Sequence, residues 1–304
     1  MRLLISAVSS PLLGRFAVLL MLALTPLAQA YDGRLHQQLT FIAAKHFNRC
    51  VAGSDIPRLT PLEVRYVAKT NVAQADRNIF KRMFNWRYYD RGDQAERSFL
   101  WAVDTRFHEH FNEVLARLDK ATDTRQRYSN LGRLISYVQV VSSPAHTVPV
   151  YTSRFWRFNL ADRFDVFPID EAHLNANLDC SFLKDPAADY YAVMRAVADD
   201  TLAAVRSPIA GLPASWESFW RLAEEPGSFG EYGPAGNNFG RKTEFRCEAE
   251  RCVLLRDDPL YVEFAAARHL AAVNGTMRAM LLMQQQRPTP AVAEAEVADA
   301  ADAD

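Results

Sequence analysis

The stretch from Tyr128 to Tyr151, YSNLGRLISYVQVVSSPAHTVPVY, constrains the fold of this chain more than any other. Leu131, Leu134, Ile135, Val138 and Val141 recur at helical spacing and draw an apolar stripe along one side of a helix. Gly132, Ser136 and Val140 follow one another in four-residue steps along a neighbouring face. The residue before a proline avoids helical angles, so this helix must end before Pro144. His146 then falls on an irregular segment just past the helix end, a layout able to present a ligand to a metal.

The flanking chain reads as further helices. Leu35, Leu39, Ile42 and Ala43 place one from Tyr31 to about Arg49, with His36 at its start and His46 on its apolar side as an ordinary packing histidine. After Pro57 and Pro61, a second helical stretch from Leu62 to Phe84 carries Asp76, and the aromatic turn FNWRYYDRGD follows. Phe107, Phe111, Val114, Leu115 and Leu118 mark an amphipathic helix from Phe99 to Leu118. His108 and His110 within it point about 200° apart and cannot share one ion. Another helix is expected from about Ala187 to Val205, and PASWESFWRLA is expected to begin the next. The glycine-rich loop from Gly227 to Gly240 lacks the lysine and preceding strand of a phosphate-cradling loop and reads as an ordered cover. The last helix is expected from Pro259 to about Gln286, with His269 partly exposed at the edge of the core.

The ends of the chain have other compositions. Arg2 and Arg15 flank an apolar run from Phe16 to Leu24, and Ala28-Gln29-Ala30 closes it with the small residues of a cleavage site. Residues 1–30 are therefore expected to be a signal peptide, leaving a mature domain over 31–286. That domain has no further stretch long and apolar enough to span a bilayer. Residues 287–304, rich in alanine, proline and acid, are expected to be a disordered tail. Loss of Arg2 and Arg15 takes the formal net charge from −1 to −3. A slightly acidic chain without clustered lysine and arginine is a poor binder of nucleic acid phosphates.

The 4 cysteines are Cys50, Cys180, Cys247 and Cys252. An even count in an exported chain argues for two disulfides. Cys247 and Cys252 close a short loop between two strand-like flanks and are paired with each other, leaving Cys50 with Cys180. A zinc knuckle would need two more ligands, where the neighbours are arginine and glutamate. The fold class is all-α, a multi-helix domain with one small disulfide-closed β-hairpin, exported to the periplasm or the medium.

Placed in order, these pieces resemble the bacterial zinc-dependent phospholipase C family and the superfamily it shares with fungal single-strand nucleases. The resemblance implies an all-helical domain with a three-zinc cluster at the bottom of a cleft. That family begins its mature chain with an aromatic residue whose free amino group and carbonyl bind zinc, followed by a histidine ligand; Tyr31 and His36 match. Its helical aspartate ligand is matched by Asp76. The histidine of its HFYDP-like turn is replaced by Arg87 in RYYDR. Its signature helix is matched at Leu131, Gly132, Tyr137, Pro144 and His146. Ser136 and Val140 stand where that helix carries a histidine and a zinc-bridging aspartate. Asp165 matches a final acid, whereas the accompanying histidine is absent from Thr152 and Ala161.

By this resemblance the ligands that remain are Tyr31, His36, Asp76, His146 and Asp165, too few for three metals. A catalytic zinc needs about three protein ligands and an open position for water. Arg87 would stand beside such a cluster, and two unit charges about 4 Å apart at an effective dielectric near 20 already interact by ~4 kcal/mol. Arg87 is instead expected to pair with Asp76 or to bind a phosphate. Two functions follow from the resemblance. One is an exported protein that has lost zinc-dependent hydrolysis and binds a phosphate-bearing lipid. The alternative is a phosphodiesterase with a reduced set of zinc ions, using Asp76 as the base.

Overall fold

A computed structural model describes residues 33–75, 89, 107–148, 150, 162–224 and 230–286. Its helices are α1 (Gly33–Cys50), α2 (Pro61–Ala75), α3 (Phe107–Asp119), α4 (Thr124–Val140), α5 (Pro144–Thr147), α6 (Glu171–Asn177), α7 (Tyr190–Arg206) and α8 (Pro259–Gln285). The strands β1 (Trp220–Arg221) and β2 (Glu231–Tyr232) form one antiparallel pair, and β3 (Thr243–Cys247) and β4 (Glu250–Leu254) form another. The described chain is thus mainly helical, with two small sheets.

Helix α4 is the one the opening stretch announced, and it lies at the centre. Asp123 starts it, its carboxylate accepting a hydrogen bond from the Gln126 amide at 2.7 Å; such a cap stabilises a helix by about 1 kcal/mol. Helices α2, α3, α7 and α8 pack around it. In consequence Gly132, Ser136 and Val140 are buried along with the predicted stripe of Leu131, Leu134, Ile135, Val138 and Val141. Gly132 lets α2 come close: a Cβ there would strike the Val67 carbonyl oxygen and the Thr70 hydroxyl. Gly275 does the same on α8, where a Cβ would meet Val138 and Val197 methyl groups at 2.7 Å.

The end of α4 differs from the irregular segment that Pro144 suggested. At this helix end Ser142 and Thr147 donate through their hydroxyls to the carbonyls of Gln139 and Val141. Pro144 then occupies the first turn of α5, where its missing N–H and fixed φ suit a helix start. His146 therefore sits on a one-turn helix.

Two further expectations are corrected around α8. PASWESFWRLA forms a 3-10 turn at Trp216–Ser218 and then strand β1. Its aromatic residues are the reason: Trp216, Phe219 and Trp220 are all buried against one another and against α8, and Trp216 lies 4.4 Å from Phe264 between ring centroids. Their i, i+3, i+4 spacing would suit one face of a helix, so it is the contacts of these rings with α8 and Phe239 that decide the local structure. His269 is fully buried, because α8 is covered by protein over most of its surface. The described part of the glycine-rich loop does act as a cover, with Phe239 packed against Phe164, Trp216, Phe219 and Tyr261.

Cys50 is bonded to Cys180 and Cys247 to Cys252, the pairing read from the sequence. In the β3–β4 hairpin both cysteines face inward with Thr243, Phe245 and Leu254. Among the described residues no helix is long and apolar enough to cross a membrane.

Candidate functional site

Two buried polar clusters flank the end of α4. The first is centred on Gln139, which lies one residue from Val140 on a helix otherwise packed with apolar side chains. His36 donates through Nδ1 to Gln139 Oε1 at 2.6 Å, and Asn71 donates to the same oxygen at 2.9 Å. Gln139 Nε2 in turn donates to the hydroxyls of Thr40 and Thr276, each at 3.2 Å. Asn71 also donates to Thr40, whose own hydroxyl proton goes to the His36 carbonyl. These five side chains come from α1, α2, α4 and α8, and none is more than 1% exposed. The amide and hydroxyl groups bond without carrying charge, and of the five side chains Asn71 keeps one buried polar atom, Oδ1, without a partner.

The second cluster is acidic and lies between α5 and the 3-10 turn Phe164–Val166. His146 Nε2 stands 3.2 Å from Asp165 Oδ2, and Ser143 donates to Asp165 Oδ1 at 2.6 Å. Asp162 comes next, accepting from Trp220 Nε1 at 2.9 Å, the Tyr232 hydroxyl at 2.8 Å and the Phe164 amide at 2.8 Å. Burial, followed by the nearby Asp165 charge, pushes the Asp162 carboxyl up to about 6, against the pull of those three donors. Behind the turn, the His269 ring lies 5.7 Å from that of Phe164, and burial lowers its pKa to about 4.

The chemistry open to this second cluster is narrow. Asp165 lies between Ser143 and His146, whereas a nucleophilic serine needs the imidazole in the middle to take its proton. Ser143 therefore serves as a donor that fixes the carboxylate. His146 and Asp165 form a pair in which acid and imidazole can exchange a proton, with Asp162 as a neighbouring carboxyl.

The residues that the resemblance proposes as metal ligands are divided between the two clusters. His36 is committed through Nδ1 to Gln139. His146 and Asp165 face each other. Ser136 Oγ is buried without a hydrogen-bond partner, and Val140 offers a side chain that cannot ligate. These described residues do not fit a zinc cluster: no trio of His, Asp or Glu ligand atoms converges around His36, His146 or Asp165. Tyr31, Asp76 and Arg87 lie outside the described residues. The one described group whose ligand atoms do converge is His46, Cys50 and Cys180, whose cysteines are joined as a disulfide. A cleft of about 310 Å³ between α2, α3 and α4 is lined by Gln74, His110, Glu113, Arg117, Arg133 and Tyr137 among others, and among the described residues by neither His36, His146 nor Asp165.

Sequence reasoning passed over Gln139, Asn71 and Asp162. A lone amide inside the apolar run YVQVV was a signal for the first, since a buried polar group requires partners. For Asp162 the signal was a second acid three residues before Asp165 in ADRFD.

No protein-family model matches the chain, and neither does any curated protein or solved structure. The family resemblance accordingly rests on the motif residues themselves.

Proposed function

We propose that this is an exported phospholipase C-like protein with a degenerate zinc site, which binds a phosphate-bearing lipid and does not hydrolyse it. The observation that carries this reading is the pair of substitutions on α4. Where the related motif has a histidine and a bridging aspartate, the chain has Ser136 and Val140, the first with an unpartnered hydroxyl and the second with an isopropyl group. Two disulfides suit an oxidising compartment such as the periplasm or the medium, where a cleaved signal peptide after Ala30 would deliver the chain.

Metal analysis of the mature protein, purified without chelator, tests the central point. Less than one zinc per chain is expected, and two or more tightly held would overturn the reading. Phosphocholine-containing vesicles should retain the protein in a flotation assay, while vesicles of an uncharged glycolipid should not. The rival function, phosphodiester hydrolysis with fewer metals, requires chelator-sensitive turnover of a chromogenic phosphocholine ester that disappears in His146→Ala.

A further inference from the structure

The disulfide between Cys50 and Cys180 lies beside a histidine. His46 and Cys50 are four residues apart on α1, a spacing that puts both side chains on one helix face. Cys180 reaches them from the segment between α6 and α7. One donor atom from each residue, a ring nitrogen of His46 and the two Sγ atoms, lies within 4.8 Å of the others. A tetrahedral zinc site with Zn–S near 2.3 Å and Zn–N near 2.0 Å separates its donors by about 3.5 to 3.8 Å. The existing spacing therefore needs only side-chain movement to match.

The two segments are also held together by contacts other than the disulfide. Phe182 is buried and stacks on Phe47 at 5.9 Å between centroids. His46 Nε2 hydrogen-bonds the Asp179 carbonyl at 3.2 Å. Asp179 itself is fixed by the amide and hydroxyl of Ser181, at 2.9 and 2.6 Å. Opening the sulfur–sulfur bond leaves these contacts in place. His46 is 5% exposed, while Cys180 is exposed and Cys50 half-buried, so an outside reagent has a route to the sulfurs. Arg49 is exposed and donates to His46 Nδ1 at 3.0 Å, so it can swing outward as the ring takes up a metal.

We infer that reduction of the Cys50–Cys180 bond by a dithiol opens a metal site in which His46, Cys50 and Cys180 bind one zinc ion, with water in the fourth position. In the first step the dithiol gives two electrons and two protons: the protein disulfide becomes two thiols and the reductant becomes a cyclic disulfide. In the second step Zn²⁺ displaces both thiol protons to solvent and accepts two thiolates and the neutral imidazole. This site is distinct from the residues around His36, which lies ten positions earlier on α1, or about 15 Å along the helix axis. It uses cysteines, which the zinc-dependent phospholipase resemblance does not, so it stands or falls separately from the proposed function.

Cobalt(II) is the probe, because thiolate coordination gives a charge-transfer band that oxygen and nitrogen ligands do not. The mature chain carrying Cys247→Ser and Cys252→Ser is reduced anaerobically with a phosphine and titrated with cobalt(II). One equivalent should produce the band, zinc should abolish it, and the oxidised protein should give none. His46→Gln should weaken cobalt binding by at least about tenfold, the scale on which even outer-shell partners matter. Three results would overturn the inference: a reduced, helical protein without the band; unchanged affinity in His46→Gln; or helix loss on reduction that zinc does not restore.

Discussion

The two buried polar clusters near the end of α4 are close in sequence and opposite in character. Around Gln139, five side chains hydrogen-bond to one another about a single amide, with Asn71 Oδ1 left without a partner. Around Asp165, two carboxyl groups and an imidazole share a small volume, and one carboxyl is forced towards its protonated form. The first arrangement fastens four helices in register. The second retains groups whose charge can still change, which makes it the part of the site where chemistry or ligand charge can be felt. Two clusters at one helix end thus differ in whether their charge can still change.

Removing the hub of the neutral cluster should have the largest effect. Gln139→Leu leaves His36, Asn71 and the two threonines short of partners, and at about 1 to 3 kcal/mol for each buried unsatisfied group the loss should approach 4 kcal/mol. Urea denaturation measures it; a loss below about 1 kcal/mol would show that the cluster does not act as a unit.

Acid should test the charged side next. The depressed His269 gives stability that is present above its ordinary value of 6.5 and is lost as pH falls through about 4. The raised Asp162 gives stability that is present below 3.8 and is lost as pH rises through about 6. Between about pH 4 and 6 the two oppose each other. His269→Leu should remove on the order of 3 kcal/mol of acid destabilisation. The variant should then become more stable as pH falls from 6 towards 4, and a slope of the opposite sign would place the acid sensitivity elsewhere.

Two serines give the smaller contrasts. Ser143→Ala removes a donor to a buried carboxylate and should cost about 2 kcal/mol. Differential scanning calorimetry measures it, and a loss below about 0.5 kcal/mol would show that the Ser143 bond does not hold the carboxylate. Ser136→Ala removes a buried hydroxyl that has no partner and should be neutral or stabilising by about 1 kcal/mol. A loss of more than 1 kcal/mol in calorimetry would mean that this hydroxyl has a role that its surroundings conceal.

What could be read beforehand follows the range of the interaction. The stripe on α4, the amphipathic α3 and the pairing of the cysteines depend on local period or spacing, and all are seen. His269 was misjudged because α8 is apolar nearly all round, so no polar face indicates which side is outside. PASWESFWRLA was misjudged because three aromatic residues found their partners on α8 and Phe239, a tertiary demand that outweighs local helical preference. The partnership of His36 with Gln139 joins residues 103 positions apart and has no local signature. The roles expected for Tyr31, Asp76 and Arg87 fall on residues outside those described.

The two disulfides join the first cysteine to the second and the third to the fourth. Four cysteines allow three pairings, and this is the one that emergence from the N-terminus favours. A chain appearing at about 5 to 20 residues per second presents Cys180 on the order of ten seconds after Cys50, before either later cysteine is available. Oxidation during emergence thus meets only one possible partner at each stage. The order of the cysteines along the chain thus makes each native partner the next one to emerge.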